Sequence, residues 1–307
     1  MRVLITGGAG FIGSHIVDRL VQEGQEVIVV DNLSTGKKKH VHKDAKFYKC
    51  DILSPKIEKI FKREKPELIN HHAAQMDLRR SVVDPIFDAQ VNILGLLNIL
   101  ENAVRYGTRR ILFASSGGAI YGEPKSFPVT ETHPTHPISP YGVSKLSGEQ
   151  YLYYYKQASG LEYTSLRYGN VYGPRQDPFG EAGVVAIFTQ KMLMDQQPVI
   201  NGNGKQTRDY IYVGDVVEAN MAVMHGEHND IFNVATGKET SVNELFRYLT
   251  GITGSSAKEV YGPEKRGEQN RCSLDCSKLR RVTDWEPRVS LSEGLERTAA
   301  YFRKGPK

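Results

Sequence analysis

Cysteine is scarce in this chain: Cys50, Cys272 and Cys276 are the only three among 307 residues, and none stand in a Cys-x-x-Cys pair. That excludes a disulfide-stapled scaffold and points to a reducing compartment, so a cytoplasmic location is expected. Long apolar runs are missing as well. No stretch approaches the ~18 consecutive apolar residues of a membrane span, and the N-terminus runs Met1-Arg2-Val3-Leu4-Ile5 straight into a glycine loop. We therefore expect neither a signal peptide nor a membrane segment. There is no fixed-period repeat and no low-complexity tract. Nor is there a charge excess of the nucleic-acid-binding kind: 40 Lys and Arg against 35 Asp and Glu leave +5, with the positive residues scattered.

What is present is the composition of a folded globular protein, 39% hydrophobic and 24% charged, long enough for one large domain or two modest ones. The first half alternates short β-branched runs (3–6, 27–31, 46–50, 68–71, 110–115 and 163–167) with amphipathic stretches at 12–22, 88–106 and 141–158. Several runs are apolar on consecutive residues, as strands covered by helices on both faces require. Strand–helix alternation of this kind predicts an α/β fold with a Rossmann-type, doubly wound parallel sheet. After about Asn170 the texture becomes rich in Gly and Pro, with a helix near 184–195. We expect a first domain over 1–170, rejoined by about 209–235, and a smaller substrate domain over 171–208 and 236–307.

Directly after the first strand comes Gly7-Gly8-Ala9-Gly10-Phe11-Ile12-Gly13, a GxxGxxG pattern opening a helix. Glycines there allow a tight turn and let a pyrophosphate approach free N–H groups at the helix start, where the dipole favours negative charge. Asp31 ends the second strand, where its carboxylate can accept hydrogen bonds from ribose hydroxyls and would repel a 2′-phosphate, so NAD is expected over NADP. Lys37-Lys38-Lys39 reads as a solvated charge run. Asp51-Ile52 and Ala73-Ala74-Gln75 follow the third and fourth strands and belong to the same predicted crevice.

Tyr141 and Lys145 are spaced i, i+4 and share a helix face. A lysine ammonium roughly 5 Å away at an effective dielectric near 20 offers about 3 kcal/mol towards a phenolate, some two pKa units, so the phenol can serve as acid and base. Ser115 and Ser116, at the end of the preceding strand, can orient a sugar hydroxyl beside it. His71-His72 and Cys272 with Cys276 are the only metal candidates and read as structural, so no metal is expected.

Taken together, these residues resemble the extended short-chain dehydrogenase/reductases, and within them the UDP-galactose (UDP-glucose) 4-epimerases. The resemblance runs through Thr6-Gly7-Gly8-Ala9-Gly10-Phe11-Ile12-Gly13-Ser14-His15, Asp31-Asn32-Leu33-Ser34, Tyr141xxxLys145, Arg167-Tyr168-Gly169-Asn170-Val171-Tyr172-Gly173-Pro174 and Arg208-Asp209-Tyr210-Ile211. It implies an NAD-dependent isomerase that removes hydride from C4 of a UDP-hexose and returns it to the other face of a 4-keto sugar. Tyr141 would be the acid–base group, Lys145 would hold the nicotinamide ribose, and Ser116 would bond the 4-oxygen. It further implies NAD contacts at Gly7, Gly10, Phe11, Ile12, Gly13, Asp31, Asn32, Ser34, Asp51, Ile52, Ala73, Ala74, Gln75, Asn92, Ser115 and Tyr168. Asn170, Val184, Arg208, Glu268, Arg271 and Cys272 would bind the UDP-sugar. A small residue at the Cys272 wall would leave space for an N-acetyl group. A homodimer is implied too, pairing the 88–106 and 141–158 helices of two copies, with the aromatic run 151–155 available for packing.

The serine region is one residue longer than in some relatives, leaving Ser115 and Ser116 both open as the catalytic hydroxyl. Lys265-Arg266-Gly267-Glu268 stands where many relatives have Arg-x-Gly-Asp. A nucleotide-sugar 4,6-dehydratase would need an Asp-Glu pair where Gly117-Gly118 stands. A UDP-glucuronate 4-epimerase and a non-catalytic NAD(H) sensor are the remaining alternatives; a sensor would have no need of Tyr141 and Lys145 beside a hydroxyl-bearing strand.

Overall fold

The apolar runs of the first half become strands β1 (Arg2–Thr6), β2 (Glu26–Asp31), β3 (Lys46–Lys49), β4 (Leu68–His71), β5 (Arg110–Ser116) and β6 (Glu162–Tyr168) in the computed structural model of the chain. The structure describes residues 1–179, 183–226, 228–264 and 269–305. With a seventh strand, Asp230–Val234, these form one sheet in the order Asp230–Val234, β6, β5, β4, β1, β2, β3. The pairings from β3 through β5 are parallel. The chain runs outward from β1 to β3, then restarts at β4 on the other side of β1. Strand order therefore reverses between β1 and β4, and a crevice opens at their carboxyl ends.

Burial explains the consecutive apolar runs. Leu4, Ile28, Ile69, Ile111 and Phe113 pack with Leu96, Ile99 and Leu100 of the helix Gly95–Arg105 and with Leu152 and Tyr155 of the helix Pro140–Ser159. The latter helix starts at Ser139, whose hydroxyl accepts the Gly142 amide at 3.2 Å, followed by Pro140 in the first turn. It ends at Gly160, in the left-handed region at φ 76°.

The helix expected over 88–106 is not one regular helix. It runs as Pro85–Ala89, a widened π-helical turn Gln90–Leu94, and Gly95–Arg105. The turn carries Asn92, whose side chain accepts from the Gln75 amide and donates to the Gln75 carbonyl, both at 2.9 Å. Fastening a helix side chain to a strand-end backbone is the local demand that widens the turn.

The chain forms two compact units. The first comprises Met1–Ile120, Pro137–Arg167 and Asn220–Phe232; the second comprises Tyr121–His136, Tyr168–Ala219 and Asn233–Lys307. Sequence reading left 121–136 within the first part of the chain. In the structure Val129 bonds to Ser273 and Asp275 backbone atoms at 2.8 Å each, long-range pairings with no local signal. The second unit is built around Phe188, Met192, Ile200, Leu245, Phe246, Leu249 and Leu295. Its helix Val242–Thr253 opens with a capping box made by Ser241 and Glu244.

One buried ion pair ties the first unit together. Glu149, on the helix Pro140–Ser159, meets Arg167 of β6 through two bonds, 2.9 Å from Nε and 2.6 Å from Nη2. The same carboxylate accepts from Ser115 of β5 at 2.7 Å and from Ser165 of β6 at 3.0 Å. Removing one partner strands a charge in the interior, so Arg167→Met should cost about 3–5 kcal/mol of unfolding free energy in urea titrations, whereas Arg167→Met with Glu149→Leu should recover much of it. An unchanged midpoint for the single variant would contradict this role.

Candidate active site

The glycine loop is shaped by contacts that tolerate no side chain. Gly7 has φ +70°, and a Cβ added there would lie 2.7 Å from the Ala73 amide nitrogen; one at Gly13 would lie 2.3 Å from the Gly7 carbonyl oxygen. The helix Phe11–Gln22 begins at Gly10 with no side-chain cap, so the amides of its first turn, at Phe11, Ile12 and Gly13, are not met by a capping group. Asp31, buried at the end of β2, accepts from the Ala9 amide at 3.0 Å and the Leu33 amide at 2.7 Å. It thus clamps the glycine loop to the turn after β2. In that turn Asn32 donates to Asp51 at 2.7 Å and accepts from the Ser34 amide at 2.9 Å. Ile52 is buried, and its carbonyl accepts from Asn98 at 2.6 Å.

Beyond β4, the Ala73 amide donates to Thr6 Oγ1 at 3.2 Å, placing the 73–75 segment beside the glycine loop. The Gln75 side chain is taken up internally, accepting from the Asp77 amide at 2.6 Å and donating to the Asp77 carbonyl at 2.8 Å and to Asp88 at 3.0 Å. Gln75, Asn92 and Ser115 therefore support the crevice through side chains already committed within the protein. Ala73 and Ala74 offer only backbone.

At the carboxyl end of β5 the two serines separate. Ser115 is spent on Glu149, whereas Ser116 is hydrogen-bonded to Tyr141. Lys145 is buried, and its Nζ donates to the Ala114 carbonyl at 2.8 Å, lies 5.0 Å from the Phe113 ring centre and 5.8 Å from that of Tyr141. Charge pairing alone predicts a depressed phenol, and the structure corrects that expectation. Burial pushes Tyr141 up to about 12, with Ser116 pulling down and the Asp88 carboxylate pushing up. Lys145 goes down to about 8, mainly through burial, against the pull of Asp88 and Glu149. Loss of hydration exceeds the Coulomb attraction when both groups leave water. The histidines read as structural are buried as well: His71 bonds Thr6 at 2.9 Å and stacks on Phe113, and burial drives both His71 and His72 to about 3. Among the described residues no group of three His, Cys, Asp or Glu could hold a metal.

Two buried carboxylates beside this pair were not singled out by sequence reading. Asp88 accepts from Ser144 at 2.6 Å and from Gln75 and Asn92 at 3.0 Å each, and Glu149 is held by Arg167. Their signal lay in spacing: Asp88 is four residues before Asn92, and Glu149 four after Lys145, each a polar position beside an apolar stripe.

Asn170, Val184, Arg208, Arg271 and Cys272, expected to meet the nucleotide-sugar, lie in the second unit. The Thr207 amide donates to the Asn270 carbonyl at 3.0 Å, which sets the Arg208 and Arg271 segments side by side. Arg271 is ion-paired with Glu239 at 2.7 Å and lies 4.3 Å from the Phe127 ring centre. Arg271 and Lys205 line a cavity of about 280 Å³. Arg208 donates to the Thr207 carbonyl at 2.8 Å, the Asn170 amide donates to the Asp209 carbonyl at 2.7 Å, and Val184 opens the helix Val184–Leu193. Cys272 is buried, as is Tyr168 at the end of β6. Glu268 lies outside the described residues.

The NAD dependent epimerase/dehydratase family matches residues 3–235 of this chain. The chain belongs to that family. It is 47% identical to a putative UDP-glucose 4-epimerase of Methanocaldococcus jannaschii over 98% of each chain. Among solved structures it resembles the UDP-glucose 4-epimerase of Thermotoga maritima with UDP-glucose, at 51% identity and TM-score 0.98 over 99% of each chain. It also resembles that of Thermus thermophilus in complex with NAD, at 43% identity and TM-score 0.96 over the whole of both chains.

The cofactor of an NAD-dependent epimerase fits what is present: a loop that admits no Cβ at Gly7 or Gly13, uncapped helix amides for a diphosphate, and an acidic side chain at the end of β2. Gly13→Ala should close the loop from within. Purified Gly13→Ala protein is expected to carry less than about a tenth of the NAD of the unaltered chain, since a methyl at 2.3 Å from a carbonyl must displace backbone. Undiminished NAD content would contradict the assignment.

Proposed function

We propose that this chain is an NAD-dependent 4-epimerase interconverting UDP-galactose and UDP-glucose through a 4-keto sugar. The observation that carries the reading is the Ser116–Tyr141 hydrogen bond beside the buried Lys145, on a sheet whose glycine loop fits a dinucleotide. The epimerases from Thermotoga maritima and Thermus thermophilus support it as relatives similar over nearly the whole chain. Gly117-Gly118 stands where a dehydratase would carry Asp-Glu, which favours epimerisation over loss of water.

In this reading Tyr141 Oη takes the proton of the sugar 4-hydroxyl and later returns it to the reduced oxygen. Ser116 donates to the 4-oxygen, fixing it beside the phenol. Lys145, held by the Ala114 carbonyl, supplies a positive charge near the phenolate and a donor for a ribose hydroxyl. Bound NAD would supply the hydride acceptor and donor for C4, so no external reductant would be consumed. Gly7, Gly10, Phe11, Ile12, Gly13, Asp31, Asn32, Ser34, Asp51, Ile52, Ala73 and Ala74 shape its site. In the second unit Arg208 and Arg271 suit the diphosphate by charge and fork geometry, with Asn170 and Val184 as further contacts of the UDP-sugar. A residue as small as Cys272 at the wall position would leave room for an N-acetyl group, so UDP-N-acetylhexosamines are candidate substrates as well.

A homodimer in the cytoplasm completes the proposal. Leu94, Val143, Tyr153 and Tyr154 are 48–59% exposed on the segments that would pair two copies. No helix among the described residues is long and apolar enough to cross a membrane, and the three free cysteines suit a reducing compartment.

Incubating the purified protein with UDP-galactose and no reductant should yield UDP-glucose, followed by the anomeric NMR signals. Tyr141→Phe should retain NAD and lose about 10²–10⁴-fold in kcat; turnover within a few-fold of the unaltered protein would overturn the acid–base assignment. Sedimentation should give twice the 34.4 kDa chain mass, and a monomer at micromolar concentration would remove the dimer.

A further inference from the structure

Asp88 is a fully buried carboxylate that the proposed reaction leaves without a task. It lies where three segments meet. Oδ2 accepts from Ser144, the residue before Lys145 and three after Tyr141, at 2.6 Å. Oδ1 accepts at 3.0 Å from Gln75, on the segment following β4, and at 3.0 Å from Asn92, in the widened helical turn. All three donors are neutral, so hydrogen bonds hold the carboxylate in place without an opposing charge. Glu149 differs: Arg167 lies against it with two bonds.

We propose that Asp88 is a positioning residue for the epimerase reaction, fastening the helix of Tyr141 and Lys145 to the crevice segment after β4 and supplying a buried negative charge, with no cation bonded to it, that acts on that pair. The proposal rests on the epimerase reading above. The other titratable groups around the pair do not serve this purpose. His71, on β4, and His72, just after it, are kept neutral by burial. Glu149, on the same helix as the pair, is balanced by Arg167 from β6. Asp88, from the helix Pro85–Ala89, acts on both members: it favours the protonated phenol of Tyr141 and the ammonium form of Lys145, the latter more strongly than Glu149 does.

The consequence has a definite sign. With the negative charge removed, Tyr141 loses its proton more readily and so does Lys145. The pH–kcat profile of the phenolate–ammonium form carries one limb for each group, whichever of the two titrates first. Both limbs must then move to lower pH. A tether alone would lower kcat and leave the limbs in place.

The experiment uses holoenzyme of the unaltered chain, Asp88→Asn and Ser144→Ala, with NAD content measured for each and kcat followed from acid to alkaline pH on UDP-galactose. Asp88→Asn keeps the shape and loses the charge. It should lose about tenfold or more in kcat and shift both limbs down by about one pH unit. Ser144→Ala breaks the tether and keeps the charge, so its limbs should stay at the positions of the unaltered chain or move up. A readout independent of turnover is the ultraviolet phenolate signal, taken as the difference between each protein and the same protein carrying Tyr141→Phe. The Tyr141 titration in Asp88→Asn should move to lower pH. Limbs and phenolate titration of Asp88→Asn at the positions of the unaltered chain would overturn the inference, whatever happens to kcat. Should Asp88→Asn fail to fold, a downward shift of the limbs in Ser144→Ala would overturn it. Absence of epimerisation by the unaltered chain would instead sink the epimerase reading.

Discussion

Withdrawal of Tyr141 and Lys145 from water is the constraint around which the first unit is organised. A phenol and an ammonium placed there each lose hydration, and both drift toward their neutral forms. At Lys145 the surrounding dipoles and carboxylates work against that drift, whereas at Tyr141 Ser116 opposes it and Asp88 reinforces it. The Ala114 carbonyl receives the ammonium, Ser116 bonds the phenol oxygen, and two carboxylates lie within electrostatic reach. A phenol so protected stays protonated at rest, and a positive charge joining the site tips it toward the phenolate. Acid–base chemistry at neutral pH then depends on what else is bound, which suits a group that must both take and return one proton.

The two carboxylates show how identical chemistry diverges with its partners. Glu149 meets a guanidinium and two hydroxyls, so it holds the helix on β5 and β6 and acts on Lys145 less than Asp88 does. Asp88 meets two amides and a hydroxyl, so its field persists. Burying such a charge without a cation bonded to it is unfavourable unless each lone pair is met. Gln75, Asn92 and Ser144 meet them, and in doing so fix the segment beyond β4, the widened turn and the catalytic helix relative to one another.

Much of this was legible in the residues. Strands buried on both faces betray themselves by consecutive apolar positions, and all six early strands begin and end within about one residue of where such runs do. The glycine loop, Asp31 and the Tyr141–Lys145 spacing are local patterns whose geometry follows from helix and strand periods. Long-range partners were not legible. Nothing near Asp88 in sequence announces Ser144, which lies 56 positions away, and nothing in Ser115-Ser116 tells which hydroxyl Glu149 will claim. The allotment of 121–136 to the second unit rests on Val129 meeting Ser273 and Asp275. The regular helix expected over 88–106 gave way at Asn92, whose amide is wanted by the Gln75 backbone.

Asp31 carries a consequence for anyone wishing to alter the dinucleotide this chain accepts. Its two oxygens close the turns on either side by receiving the amides of Ala9 and Leu33, besides the recognition task proposed for it. Exchanging it for a cationic or neutral residue to welcome an extra phosphate would orphan two backbone donors and slacken the loop meant to receive the new ligand. Reprogramming would need a replacement that still accepts from both amides, with the phosphate-binding group introduced at another position.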